Sequence, residues 1–338
     1  MNVDTPKRPP PRYELWNLRL PAAVKTLRFA QFGAQAASAE RAAQELERFR
    51  PVLDRDDGPD ELSRGSFVDA AGLTNAVFMA YWFNPQNYAR WAGSAAVQDA
   101  WDALPEDGDA GYWREIVQVP SRAVDTLYTP HDPAAYGQTG VAQHGTMQVC
   151  PAHDYWGAAR DRLPGLTEEE LRPELERILP NAAETRGRRV SAAVPANICM
   201  ARHHEDWRQS PVSGPVYRRE VAPVKEAGIA HLAAHFDLGC IAARAIRGED
   251  LDGRPIQRAD AIAWFASLGH LLDWARSDRS HLAIYGAFFK AAAAMAPGQK
   301  WDVPMWHEVF VVPRGAAQAD YVNCHNRTGF LALGAGGS

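Results

Sequence analysis

Two histidines stand where an imidazole needs a reason to be. His281 lies in DRSHLAIYGAFFK, and at helical spacing it shares a stripe with Ile284, Tyr285, Phe288 and Phe289. An imidazole at one end of an aromatic, apolar face offers what a haem needs: an axial nitrogen and a wide apolar wall. The same pattern fits a buried or rim histidine bonded to backbone. His307 lies in WDVPMWHEVFVV. On a strand it points with Val303, Met305, Val309 and Val311, opposite Trp306, Glu308, Phe310 and Val312. In an apolar row an imidazole is costly unless it is paired or lines a cavity. Its near-neutral pKa suits a general acid or base, with a satisfied core histidine as the alternative.

Two polar clusters could add to such a site. One runs from His153 to Arg162 and includes Asp154, Tyr155, Trp156, Arg160 and Asp161; the other runs from Asn197 to Trp207 and includes Arg202, His203, His204, Glu205 and Asp206. Either could be a salt-bridged loop. Strand alternation splays His203 from His204, which makes a poor metal cluster and argues against zinc. Cys150-Pro151 is a minor candidate for a regulatory haem contact, and a turn explains it as well.

The elements that must position these residues alternate in type. Strands are expected at Val24–Phe32, Asn75–Phe83, Ile116–Val119 and Arg189–Met200, then at Asp237–Ile246, Ala261–Ala266, Val303–Val312 and Asp320–Cys324. Helices are expected at Ala36–Phe49, at Pro85–Leu104 with Trp91 and Trp101 on a buried stripe, near Leu268–Ser277, and at His281–Met295 capped by Ser277 or Ser280. Tyr217–His235 reads as a helix that Pro223 and Gly228 break or kink. Segment 163–187, charged and Pro-containing, reads as a surface helix and linker inside the domain. This mixture argues an α+β fold rather than a doubly wound sheet. Residues 1–15 read as a flexible arm, 16–330 as one domain with similar halves at about 16–150 and 188–330, and 331–338 as a Gly-rich tail.

The 338 residues, 46% hydrophobic, suffice for a large core, and eleven Trp suggest a large apolar interior or pocket. A net charge of -5 gives no reason to expect nucleic acid or an anionic membrane as partner. The four cysteines form no CxxC or CxxCH, which argues against a disulfide framework, structural zinc and covalent haem. No apolar run reaches the roughly 18 residues a bilayer requires, and the N-terminus carries no apolar signal core, so a reducing cytoplasm is expected.

Taken in order, FMAYWFNPQNYARW (78–91), YWGAARDR (155–162), ANICMARHHEDW (196–207), WARSDRSHLAIYGAFF (274–289), WHEVFVV (306–312) and DYVNCHNRTG (320–329) resemble the haem-containing aldoxime dehydratases, from about residue 13 to 330. The resemblance implies two ferredoxin-like halves with a barrel-like sheet core of the dimeric α+β barrel type, a non-covalent ferrous haem b, and a homodimer. It implies His281 as the axial iron ligand, His307 as the distal acid and base, and Arg162 as the distal arginine. The implied reaction converts an aldoxime to a nitrile and water. Where the family has a distal serine, this chain has His203. That residue could replace the serine as a hydrogen-bond partner, ligate iron from the distal side, or mark a relative with other N–O or N–N chemistry. A haem sensor or carrier is the non-catalytic alternative. The Trp and Phe content favours an apolar aldoxime, aryl or alkyl.

Overall fold

The computed structural model of the chain describes residues 14–132, 135 and 140–334. In the first half the strands are β1 (Trp16–Arg19), β2 (Thr26–Ala36), β3 (Glu61–Val68), β4 (Thr74–Trp82), β5 (Gly111–Pro120), β6 (Val124–Tyr128) and β7 (Thr146–Val149). In the second they are β8 (Arg189–Ser191), β9 (Ile198–Asp206), β10 (Cys240–Glu249), β11 (Pro255–Phe265), β12 (Met305–Val312) and β13 (Ala317–Val322). The helices are α1 (Ala39–Leu46), α2 (Arg50–Leu53), α3 (Pro85–Ala92), α4 (Ala95–Asp102), α5 (Ala158–Asp161), α6 (Glu168–Leu171), α7 (Gly214–Val216), α8 (Ala222–Ala234), α9 (Leu268–Ser277) and α10 (Arg279–Ala293).

All the described strands join one antiparallel sheet, ordered β7-β1-β6-β12-β9-β11-β10-β3-β4-β2-β5-β13-β8. Within it β12-β9-β11-β10 and β3-β4-β2-β5 each place the half's first strand beside its third and fourth. The two runs join where β10 pairs β3, Gly248 opposite Gly65. A Cβ on Gly65 would lie 2.5 Å from the Arg247 carbonyl oxygen, so only glycine allows this approach. Each half also lends strands to the other: β6 extends the second half beside β12, and β13 extends the first beside β5.

Alternation decides what each face meets. On β4, Val77, Met79 and Tyr81 join an interior core with Ile262, Trp264 and Phe310 of the second half. Phe78 and Trp82 face outward, in a separate cluster with Phe49, Trp91 and Trp101 of the flanking helices. Polar contacts cross the interior too. The Tyr81 hydroxyl donates to Glu308 Oε2 at 2.5 Å, and the Arg244 guanidinium forks onto Glu115 at 2.6 and 2.8 Å.

The result is the mixed α/β architecture expected, with several local differences. Arg189–Met200 is not one strand: β8 and β9 are separated by the irregular segment 192–197, where Pro195 and the positive φ of Asn197 break the ladder. β3 has no counterpart in the expected set, and β11 extends well before Ala261. Asp278, not Ser277 or Ser280, caps α10: its carboxylate accepts from Ser280 N at 2.8 Å. Near Pro223 the expected irregularity is present: Tyr217–Val221 is a π-helical segment, and α8 follows with Pro223 in its first turn. Gly228 does not break α8. It lets the helix approach α10, since a Cβ there would lie 2.7 Å from Ile284 Cδ1. Segment 163–187 holds only the short α6, closed by a capping box between Thr167 and Glu170. The arm expected at 1–15 lies outside the described residues except for Glu14 and Leu15, and of the tail 335–338 does. Leu331 and Ala332 are buried, so the packed chain extends past 330.

Candidate functional site

The site is built first on β9 and β12. Their register puts His203 directly opposite His307, with ring centroids 4.3 Å apart and planes tilted by 38°. His307 is accessible although Trp306 and Glu308 on either side are fully buried, so its ring lines a cleft rather than the core. Alternation sends the intervening residues to the interior, where they brace the strand pair. Arg202 Nε donates to Asp260 Oδ1 at 2.8 Å, His204 Nδ1 is 2.9 Å from the same oxygen, and the His204 ring stacks on Trp306 at 4.7 Å. Burial opposes the charge on Asp260, but Arg202 and His204 hold its carboxyl well below the usual range.

His203 is bound to its own strand. Its Nε2 lies 2.7 Å from Glu205 Oε1, two residues along on the same face. The other Glu205 oxygen accepts from Lys225 Nζ of α8. Burial works against the Glu205 charge, but His203 and Lys225 outweigh it and hold the carboxyl well below its ordinary value. His203 Nδ1 is buried without a hydrogen-bond partner among the described residues.

His281 stands in the first turn of α10. Its Nδ1 is 2.7 Å from the Ala275 carbonyl oxygen. A carbonyl only accepts, so Nδ1 carries the hydrogen and Nε2 keeps its lone pair, the form in which an imidazole ligates a metal. Burial lowers its pKa and favours the same neutral form. Trp274 meets the ring edge-on at 4.6 Å, and Trp156 lies 6.0 Å away while also touching Tyr285 at 5.5 Å. The stripe below His281 is not core: Ile284, Phe288 and Phe289 are half-buried and Tyr285 is 42% exposed. This leaves an apolar helix face open beside a free imidazole nitrogen, surface of the kind that can wall a flat apolar ligand.

Arg162 follows α5, with its side chain 8% exposed. Nε and Nη2 fork onto Asp125 of β6, both at 2.7 Å, and Nη1 donates to the Ala152 carbonyl at 2.8 Å. The fork is spent on Asp125, so Arg162 acts on His307 through its charge. Burial first, then the neighbouring His203 and His281 rings and the Arg162 charge, push the His307 imidazole well below its ordinary pKa. The same mutual influence ties His281, His307, His203 and Arg162 to one neighbourhood.

His204 and Cys150 do not join it. His204 is interior, and Cys150 is a buried thiol whose pKa burial raises. Sequence reasoning missed Asp125, Lys225 and the pairing of Glu205 with His203. The strand VDTLY gave one signal, an acid in an otherwise apolar pattern, and the i, i+2 spacing of His203 and Glu205 gave another.

Residues 30–330 match the family model described as haem-containing dehydratase. The chain is 30% identical over 333 residues to the phenylacetaldoxime dehydratase of Bacillus sp. (strain OxB-1), covering 96% of this chain and 93% of that one. It is 29% identical over 332 residues to the aliphatic aldoxime dehydratase of Pseudomonas chlororaphis, covering 96% and 92%. A crystal structure of an aldoxime dehydratase superposes with a TM-score of 0.87 at 27% identity, covering 100% of this chain and 96% of that one. An aldoxime dehydratase solved in complex with butyraldoxime gives 0.83 at 26%, covering 96% and 90%. Matched over nearly its whole length, this chain belongs to the haem-containing dehydratase family.

Proposed function

We propose that this protein is an aldoxime dehydratase that converts R–CH=N–OH to R–C≡N and water at a non-covalent haem b. His281 would hold the haem iron, and His307, His203 and Arg162 would supply the polar groups that meet the substrate. The carrying observation is the free Nε2 of His281 beside an open aromatic stripe, in the same electrostatic neighbourhood as His203 and His307. The residues fit the cofactor: a neutral imidazole that would ligate iron, Trp156 and Tyr285 as apolar aromatic surface, and the polar His203–His307 pair in the same neighbourhood. The names of the relatives, and the butyraldoxime bound by one of them, support the substrate class.

When bound, ferrous haem supplies a coordination site for the aldoxime nitrogen and electron density that weakens the N–O bond. The protein's own task is protons: one must reach the departing hydroxyl and one must leave the oxime carbon. His307, kept neutral by burial and by Arg162, is the base. Arg162, fixed by Asp125, holds a charge beside it without being free to bond elsewhere.

The same reading extends to architecture. The repeated strand order supports two ferredoxin-like halves within one catalytic domain, and contacts such as Tyr81 to Glu308 across the interior support a barrel-like closure. A homodimer in the cytoplasm goes with it; four unpaired cysteines agree with a reducing compartment. No helix among the described residues is long and apolar enough to cross a membrane.

The test is to purify the protein with haem, reduce it without air, add phenylacetaldoxime, and follow the Soret band and nitrile together. A shift with nitrile supports the reading. A shift without nitrile, across aryl and alkyl oximes, favours a pocket retuned to other N–O chemistry, for which His203 is the observation. Absence of haem refutes the reading from His281 upward.

A further inference from the structure

We infer that His203 and His307 divide the proton chemistry: His203, backed by the buried Glu205–Lys225 pair, gives the proton to the departing hydroxyl, and His307 takes the proton from the oxime carbon. This rests on the aldoxime dehydratase reading and adds to it the acid, its backing and the reset step.

The argument begins with the distance between the rings. Centroids 4.3 Å apart leave little room for two cations. At an effective dielectric near 20, like unit charges about 4 Å apart disfavour double protonation by roughly 10²–10³-fold. The pair therefore holds one proton in its working state. The surrounding charges decide where it rests. His203 has the Glu205 carboxylate on Nε2 at 2.7 Å. His307 has no hydrogen-bonded carboxylate among the described residues; Glu205 reaches it only through space, and the positive charge of Arg162 opposes a proton there. The other groups around His203 do not change this balance. β11 presents apolar Ala261 in register, and Lys225 of α8 is already bonded to Glu205, beside which the Tyr217 hydroxyl also lies. Of the two rings, only His203 is hydrogen-bonded to a carboxylate among the described residues, and that contact assigns it the acid's role.

With Nε2 committed to Glu205, the nitrogen left to meet a substrate is Nδ1, which is buried and unpartnered among the described residues. A buried N–H without an acceptor is unfavourable, and a substrate hydroxyl oxygen supplies one. The step balances without an oxidant or reductant. Nδ1–H protonates the hydroxyl, the N–O bond breaks with its electron pair leaving in water, and His307 takes the carbon proton. The C–H pair becomes the third bond of the nitrile. His307 then returns its proton to His203, whose ring lies alongside, and the pair is reset.

The test uses the full-length, reduced haem protein with His203→Ala, Glu205→Gln and the double variant Glu205→Gln/Lys225→Met. The double variant leaves no unpaired buried cation and guards against simple misfolding. The expected result for His203→Ala is a kcat lower by about 10²-fold or more, the range of a positioned acid, with KM changed only a few-fold and haem content intact. Added imidazole should restore part of the rate in His203→Ala and none in the Glu205 variants. Both Glu205 variants should lower kcat by about 10-fold or more and raise the solvent deuterium isotope effect, because hydroxyl protonation becomes limiting. A carbon-deuterated oxime should show a smaller isotope effect in all three variants than in the wild type. Near-wild-type kcat throughout would overturn the division of roles while leaving the dehydratase reading intact. So would a six-coordinate wild-type haem that becomes five-coordinate in His203→Ala, since His203 would then be an iron ligand. Absence of nitrile from the wild-type enzyme would refute the underlying reading itself.

Discussion

His281 and His307 are both imidazoles kept neutral by burial, yet their bonds give them different work. His281 has spent one nitrogen on the Ala275 carbonyl and can only offer the other as a ligand. His307 keeps its ring accessible in the cleft, which suits proton exchange. His281→Ala should therefore lose haem, read as pyridine haemochrome per protein. His307→Ala should keep haem and lose about 10²–10⁴-fold in kcat, the usual contribution of a positioned acid or base. Equal haem content in both variants would refute the axial assignment. Helical and strand periodicities told which face each residue occupies, but left a satisfied core histidine open for both; the proposed roles rest on the family resemblance. Lys225 was not legible: it lies 20 residues beyond Glu205, on a different element, and nothing in APVKEAG signals a buried cation. Asp125 was hidden similarly, since the position of its partner Arg162 follows from tertiary packing alone.

The element that sets the cleft is α10, held at its start by Asp278 and pressed against α8 at Gly228. Gly228→Ala would push its methyl against Ile284, which shares the His281 stripe. The far end of a flexible isoleucine can yield, so the expected cost is modest, about 1 kcal/mol. Because Ile284 lies one turn beyond His281, haem affinity should weaken alongside stability. Thermal unfolding and haem titration read the two effects; weaker stability with unchanged haem affinity would separate α8 packing from the cleft. Helix positions were largely legible, because α9 and α10 carry strong apolar stripes. Strand ends were less so. The break at 192–197 depends on Pro195 and on a positive φ at Asn197, and β3, ELSRGSFV, presents buried Arg64 where a core strand normally shows an apolar residue. Arg64 is retained there by the Glu47 and Glu249 carboxylates, contacts that no local pattern announces.

For the whole molecule, protonation links the site to stability. Burial is the first cause that lowers the pKa of His153, His204, His270, His281 and His307. Between those lowered values and about 6.5 the folded chain binds fewer protons than the unfolded one, so stability falls as pH falls. Asp125 and Glu308, raised by burial, contribute with the opposite sign at lower pH. Glu205 and Asp260, held low by their cations, give up their contribution only below about pH 4. The melting temperature of the apoprotein should thus be highest near pH 7 and drop by pH 5.5. A flat profile over that interval would contradict the buried neutral state of these histidines.

The lending of strands between halves bears on how such a chain can be inherited. β6 belongs to one half by sequence and to the other by pairing, and β13 repeats the exchange in reverse. A gene fragment encoding either half alone specifies a sheet with a raw edge where its guest strand should lie. Expressed singly, residues 1–182 or 183–338 should aggregate; coexpressed, the two fragments should copurify. Recombination could not trade one half for a foreign module without also finding the strand that module owes its neighbour, so the repeat visible in the strand order is no longer a unit of exchange.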